Sequence, residues 1–246
     1  MSALGRLILL AVTVSPTAAL AHTTSVAEEE WVEVSPAAMR YVSPQQAHAE
    51  QVAVAAFGPF RVLDDRTVAL VGITDDRSPA QFSAMLDAFP GIATLEFVEA
   101  PGTHDDRANL ALGRMIRAHG LATRVRDGGS VRSGAVELFL AGITREIAPG
   151  SEFAVHGWLD DQGRGAQDYP EGAAEHRRYL DYYAEMGMDA EQARAFYAMT
   201  NSVPFEDARW LTGAQMRDWM DGSGGTQAVE QAQPRLAYLD LAPTLQ

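Results

Sequence analysis

The amino-acid sequence predicts an α/β fold with a helical C-terminal extension, on three observations. Short apolar runs, of which TVALVGI at 67–73 is the clearest, are typical of buried strands. Segments with apolar residues at helical spacing separate these runs, as in a parallel sheet built from β–α units. From Glu171 to Trp219 the pattern is helical almost throughout, which predicts helices added after the α/β part.

The strands are predicted from short apolar runs bounded by turn residues. They lie at 61–63, 67–73, 93–98, 121–125, 144–147 and 152–156.

The helices are predicted from apolar spacing together with start and stop signals. Ser78 is a good N-cap, Pro90-Gly91 ends the helix that follows it, and Gly120 closes the next one. The later helices are predicted at 133–140, 173–186, 189–199 and 213–219. Tyr179, Tyr182 and Tyr183 share a helix and are expected to pack it onto the sheet.

Residues 1–21 have the pattern of a secretory signal peptide. Arg6 precedes an apolar run, and Ala19-Leu20-Ala21 is a small-x-small cleavage site. The run is too short to span a bilayer as a stable helix, which leaves a membrane anchor as the weaker alternative. We therefore expect a periplasmic or secreted chain that starts near His22 and has no membrane span.

The rest of the chain divides by composition. Residues 22–56 form a polar lead-in, residues 57–221 form the α/β domain, and residues 222–246 begin as a flexible, glycine-rich tail. Within that tail, 236–241 could add an edge strand.

The composition excludes several kinds of chemistry. The 246 residues carry a net charge of −14, which argues against nucleic acid as a partner because phosphates need a basic surface. The chain has no cysteine, so disulfides and a cysteine nucleophile are excluded. It also has no lysine, and arginine stays protonated, so a serine nucleophile would need a histidine or carboxylate base.

Ser133 lies at a predicted helix start within GGSVRSGAVELFLAG (128–142). A serine at this position is commonly only an N-cap. Alternatively, it is a nucleophile, since the helix dipole and the backbone N–H of Gly134 favour a nearby oxyanion.

Two further segments bear on this choice. His156 closes the predicted strand at 152–156 and could serve as a base, although a histidine at a strand end is often structural. The turn Ala100-Pro101-Gly102-Thr103 lies between a strand and a helix, at the sheet edge where α/β ligand sites gather. His104, Asp105 and Asp106 follow it, but adjacent residues on one helical turn diverge, so we expect no metal and no cofactor.

These segments together resemble the Clp-protease-like members of the ClpP/crotonase superfold, and in particular small exported proteins described as predicted periplasmic Clp-like proteins. The resemblance rests on APGTHDDRANLALGRMIRAHGLATRV, GSVRSGAVELFLAGITREIAPGS and FAVHGW in this order, and covers about 68–220. It implies an α/β fold of repeated β-β-α units with a helical C-terminal extension for residues 57–221. It also implies a peptide or protein substrate and a homo-oligomer.

The resemblance also implies roles for individual residues. Ser133 matches the nucleophile and His156 the catalytic histidine, while backbone N–H groups of Gly102, Thr103 and Gly134 match the oxyanion hole. The acid of the triad is less clear.

Near FEDARWLTGAQM the place of that acid is taken by Ala208, with Asp207 one residue earlier. Asp207 is the proposed acid, with Glu206 or a Ser–His dyad as alternatives. Two other positions depart from the family pattern. Thr103 replaces a second glycine, which would be penalised if positive φ were needed there. Arg132 precedes the serine and either binds a substrate carboxylate or is solvated or ion-paired.

Three functional hypotheses follow. The first is an exported serine hydrolase, a peptidase-like enzyme that works by Ser–His acyl transfer. The second is a catalytically impaired Clp-like fold that acts as a periplasmic binding or assembly protein. The third, an acyl-CoA enzyme of the wider superfold, fits poorly with export.

Overall fold

A computed structural model describes residues 43–221. The predicted signal peptide, the lead-in before residue 43 and the tail from residue 222, with its possible edge strand, lie outside the described residues. No helix within 43–221 is long and apolar enough to cross a membrane.

The described residues form a mixed α/β fold around one sheet, as the sequence predicts. The strands are β1 (Ala55–Phe57), β2 (Phe60–Val62), β3 (Thr67–Val71), β4 (Thr94–Ala100), β5 (Ala122–Arg132), β6 (Arg145–Ile147), β7 (Glu152–Val155) and β8 (Arg209–Thr212). The helices are α1 (Pro44–Val52), α2 (Ser78–Ala88), α3 (Asp106–Ala118), α4 (Ala135–Leu140), α5 (Ala174–Glu185), α6 (Ala190–Thr200) and α7 (Gly213–Met220).

The centre of the sheet is parallel and its edges are antiparallel. The strand order is β1-β2-β3-β4-β5-β7-β8, and β6 also pairs with β5. Strands β3, β4, β5 and β7 are parallel neighbours, whereas β1, β2 and β8 pair antiparallel. The parallel strands place their carboxyl ends at one edge of the sheet, where open α/β sheets bind ligands.

Strand β5 is longer than predicted and contains an irregularity. Its pairing with β4 shifts between Val125 and Ser130, so the intervening residues bulge out of the ladder. Gly128 has φ +78°, and a Cβ at Gly129 would lie 2.9 Å from the Phe97 carbonyl oxygen. The glycine pair therefore allows β5 to pair with β4 again after the bulge and to continue to Arg132.

The main core lies between one face of the sheet and the helices that cover it. Apolar side chains from β3, β4, β5 and β7 pack against α2, α3 and α4, and α5 and α6 add Tyr182, Tyr183 and Phe196. The opposite face of the sheet carries a smaller cluster, where Ala49 of α1 meets Ala69, Val71 and Val98. Helix α1 and strands β1 and β8 were not predicted, because none of them has a distinct apolar period in the sequence.

Candidate active site

Ser133 lies in a tight turn between β5 and α4. Its φ is +49°, and among residues 43–221 it is the one non-glycine residue with positive φ. This conformation costs on the order of 1–3 kcal/mol for an ordinary side chain and is found mostly at functional sites. The turn is held at both ends, since Ser133 N–H donates to Ala154 O (2.9 Å) and Val136 N–H donates to Ser133 O (2.9 Å). The side chain is thus presented by a fixed backbone, as in the strand–turn–helix arrangement of nucleophilic serines.

His156 directly follows β7, the strand beside β5, and lines the same cavity as Ser133. Its Nδ1 lies 2.9 Å from the Gly157 carbonyl oxygen. A carbonyl accepts and never donates, so the neutral ring carries its proton on Nδ1 and leaves a lone pair on Nε2. Nε2 is buried and has no hydrogen-bond partner among the described residues.

The surroundings of His156 favour its neutral form. Burial lowers the pKa of His156, against smaller opposing effects of the Gly157 carbonyl and of the Asp106 charge. Phe205 also packs edge-on against the imidazole, with ring centroids 4.8 Å apart. The histidine is therefore oriented and unprotonated near neutral pH, which a general base requires.

The three backbone groups predicted for the oxyanion hole lie next to the serine. Gly102 has φ +137°, and a Cβ there would lie 2.9 Å from Ser133 Cβ. A Cβ on Gly134 would lie 2.5 Å from Thr103 Cγ2. The N–H groups of Gly102, Thr103 and Gly134 donate none of the hydrogen bonds found within residues 43–221, so they remain available to an anion.

Thr103 does not disturb this loop. Positive φ occurs at Gly102 and not at Thr103, so the replaced second glycine carries no backbone penalty. The Thr103 hydroxyl instead stabilises the turn, because Oγ1 donates to Thr74 O (3.2 Å) and accepts from Asp105 N–H (3.2 Å).

Asn109, which sequence analysis missed, holds the Gly134 peptide. Its Nδ2 donates to Gly134 O at 2.6 Å, and its Oδ1 accepts from Thr74 Oγ1 at 3.0 Å. Asn109 is almost completely buried on α3. A polar residue beside Leu110 on the apolar face of a helix was the available signal.

Asp207, the predicted acid, does not line this cavity. It is exposed, and its Oδ1 accepts from Ala208 N–H at 2.8 Å. The Gly157 carbonyl occupies the position on His156 Nδ1 that a triad acid would take. The role of Asp207 therefore stays a prediction, and in this conformation a backbone carbonyl orients the histidine.

Arg132 does not line this cavity. Its side chain is 1% exposed, and Nη1 lies 2.5 Å from Glu99 Oε1. Nη1 also donates to Ser130 Oγ at 2.7 Å. Of the alternatives left open by the sequence, ion pairing is correct and binding of a substrate carboxylate is excluded by burial.

Two carboxyl groups that sequence analysis did not assign to the site line the cavity with Ser133 and His156. They are Asp106, in the first turn of α3, and Glu137, in the first turn of α4. Burial raises the pKa of Glu137 to about 7, and the hydrogen bond from Tyr183 partly opposes this shift. Burial likewise raises the pKa of Asp106, against the hydrogen bond from Tyr179. A single charged residue inside the apolar run AVELFLA was the only sequence signal for Glu137.

Comparisons with known proteins find similarity among solved structures only. No family model matches the sequence, and no curated protein matches it. Among solved structures, the chain is similar to a ClpP1 mutant from Listeria monocytogenes, at 19% identity and a TM-score of 0.45, covering 63% of this chain and 88% of that one. It is also similar to a mutant of the 1510-N membrane-bound stomatin-specific protease in complex with a substrate peptide, at 12% identity and a TM-score of 0.39, covering 63% of this chain and 73% of that one.

Proposed function

We propose that this protein is a serine hydrolase, a peptidase-like enzyme that cleaves a peptide or protein substrate by acyl transfer. The observation that carries the proposal is the conformation of Ser133. A serine held at φ +49° between β5 and α4 shares its cavity with a histidine whose Nε2 has no partner within the described residues. Strain at a serine beside an available base is expected of a nucleophile and has no use in an N-cap.

In the proposed mechanism, Ser133 Oγ attacks the substrate carbonyl while His156 Nε2 takes the hydroxyl proton. The imidazolium then returns this proton to the leaving amine as the C–N bond breaks, and an acyl-enzyme remains. Water, deprotonated by the same Nε2, hydrolyses the ester and restores Ser133. During both steps the Gly157 carbonyl accepts from Nδ1–H, and the nearby Asp106 charge favours the imidazolium.

The oxyanion formed in each step would accept from the N–H groups at Gly102 or Thr103 and at Gly134. Removing one such donor typically costs about 10²–10³ in rate. Asn109 acts as a positioning residue here, because its bond to Gly134 O fixes the turn that carries the Gly134 N–H.

The proposal extends to location and assembly. We propose that residues 1–21 direct export and are removed, and that the mature enzyme is a periplasmic or secreted homo-oligomer. N-terminal sequencing of the protein purified from the cell envelope should find a start near His22. Sedimentation of the mature chain should give a mass above that of one subunit.

One observation favours the alternative, a binding or assembly protein without activity. Ser133 Oγ makes no hydrogen bond to His156 in the described structure. Such contacts are often long in the free enzyme and shorten only with substrate bound, so labelling must decide between the two functions.

The deciding experiment is labelling of the mature protein with a fluorophosphonate. Wild type should be labelled, and Ser133→Ala and His156→Ala should not. The matched controls are Ser83→Ala and His48→Ala, at exposed positions on α2 and α1, and both should label like wild type. A folded wild type that resists the probe would refute the hydrolase and favour the binding protein.

A further inference from the structure

The cavity beside Ser133 has an acidic wall. Asp106 and Glu137 approach it from the starts of two different helices, α3 and α4. Each carboxyl accepts one tyrosine hydroxyl: Tyr179 donates to Asp106 Oδ2 (2.6 Å) and Tyr183 donates to Glu137 Oε1 (2.8 Å). The tyrosines hold both carboxyl groups in place and do not neutralise them.

Neither carboxyl group has a cationic partner within the part of the chain that the structure describes. The ion pairs found within residues 43–221 include neither Asp106 nor Glu137. Arg178 on α5 lowers the pKa of Asp106 through its charge and does not form an ion pair with it. Buried carboxylates are normally paired, so a bound cation would supply the partner that both groups lack and would stabilise their ionised forms.

Aromatic rings form a further part of the wall of this cavity. Trp158 and Tyr179 are stacked with ring centroids 6.0 Å apart, and Tyr197 joins them through a hydrogen bond from Trp158 Nε1 (2.9 Å). Aromatic faces attract cations through the ring quadrupole, most strongly in desolvated sites. Carboxyl groups and electron-rich rings around one space are the two features that protein sites use to hold an ammonium group.

The cavity is also small. Its volume is about 40 Å³, whereas one water molecule needs about 10–15 Å³ by this measure. The space therefore admits an ammonium group, which is close to water in size.

We propose that this cavity selects substrates that carry a primary ammonium group on the acyl side of the scissile bond, held by Asp106, Glu137 and the surrounding rings. This inference rests on the proposed function, since it names the substrate class of the same site. The ammonium belongs either to a lysine side chain on the acyl side of the bond or to the free N-terminal amine of the substrate.

The test uses diphenyl phosphonates, which label activated serines and carry the side chain of a chosen residue. The first pair compares acetyl-lysine and acetyl-norleucine analogues, which have similar length and differ in charge. The second pair compares an alanine analogue with a free α-amine and its acetylated form. Second-order labelling rates of the full-length mature protein are measured alongside fluorophosphonate labelling, which reports on Ser133 alone.

Wild type should react about tenfold faster with the cationic member of at least one pair, the size expected for one charge-assisted hydrogen bond in a buried site. Glu137→Gln and Asp106→Asn should each reduce this preference to about threefold or less. Fluorophosphonate labelling should continue at the wild-type rate in Glu137→Gln. In Asp106→Asn it should slow, because the Asp106 charge favours the imidazolium of His156, so for this variant only the ratio of rates within each pair is compared. Glu171→Gln and Asp181→Asn, at exposed positions outside the cavity, should keep the full preference. The pair that shows the effect identifies the source of the ammonium.

The two levels of the proposal fail in different ways. Fluorophosphonate labelling without a cationic preference in either pair would overturn the substrate inference and leave the hydrolase standing. A preference that survives both cavity variants would also overturn it. If folded wild type shows no serine labelling at all, both the hydrolase proposal and the substrate class are overturned. If one cavity variant does not fold, the other decides, because each carboxyl comes from a different helix.

Discussion

Replacing Glu137 by glutamine should stabilise the protein at pH 8 and have little effect at pH 5. Glu137 is almost completely buried, and burial raises its pKa from the ordinary 4.5 to about 7. Glutamine has the same shape and can still accept from Tyr183, so the substitution removes the ionisation and keeps the hydrogen bond.

The direction of this pH effect follows from the difference in the pKa of Glu137 between the folded and unfolded states. A group whose pKa is raised in the folded state contributes stability that is fully present below its unfolded pKa and is lost as pH rises through its folded pKa. Wild type therefore loses stability between about pH 4.5 and 7, whereas the variant does not. With about 1.4 kcal/mol per pKa unit, the variant should gain about 3 kcal/mol over wild type at pH 8 and less than about 1 kcal/mol at pH 5.

Urea unfolding of both proteins at pH 5 and pH 8 measures this difference. For a domain of this size the pH 8 gain corresponds to a rise in melting temperature of about 6–12 °C. Glu171→Gln, at an exposed position, is the matched control and should show no pH-dependent gain. The difference in unfolding free energy between Glu137→Gln and wild type should grow from pH 5 to pH 8. Growth of less than about 1 kcal/mol would refute the reasoning.

The remaining predictions concern the active site. Because burial lowers the pKa of His156, fluorophosphonate labelling should persist below pH 6.5 and fall only when the ring protonates; a midpoint above 6.5 would contradict this. Gly102→Ala should reduce the labelling rate at least about 10²-fold in a folded protein, since the new Cβ would lie 2.9 Å from Ser133 Cβ at a φ of +137°. A near-wild-type rate would show that the close packing of Gly102 against Ser133 is not needed for reactivity. Asp207→Asn should change the rate by about threefold or less, because the Gly157 carbonyl orients His156; a loss approaching the roughly 10⁴-fold seen when a triad acid is replaced would assign Asp207 that role.

Local patterns in the sequence were enough to predict most of the elements. The alternation of apolar runs and helical spacing from β2 to α4 depends on residues close in the chain, and the structure confirms the α/β class. Strand β8 was missed because pairing, and not a local sequence pattern, defines it. Arg209–Thr212 pairs with β7, which lies more than 50 positions earlier in the chain. Sequence analysis likewise ended β5 too early, since a bulge made of two glycines resembles a loop.

Part of the candidate site could be proposed from local patterns as well. Ser133, His156 and the oxyanion turn each follow a strand, so they could be placed together at the carboxyl edge of a parallel sheet. The side chains that surround them come from elements distant in sequence, and nothing local indicates that Asp106 and Glu137 share a cavity.

The sequence by itself determined the class of the fold, the candidate nucleophile and base, and the exclusion of cysteine and lysine chemistry, because these depend on residue type and short-range order. Only the tertiary structure decided that Arg132 is buried against Glu99, that Thr103 needs no positive φ, and that a carbonyl lies where the triad acid was expected. It also decided the character of the cavity. Desolvation and the field of neighbouring charges depend on what surrounds a group in space, and the linear sequence does not state which groups those are.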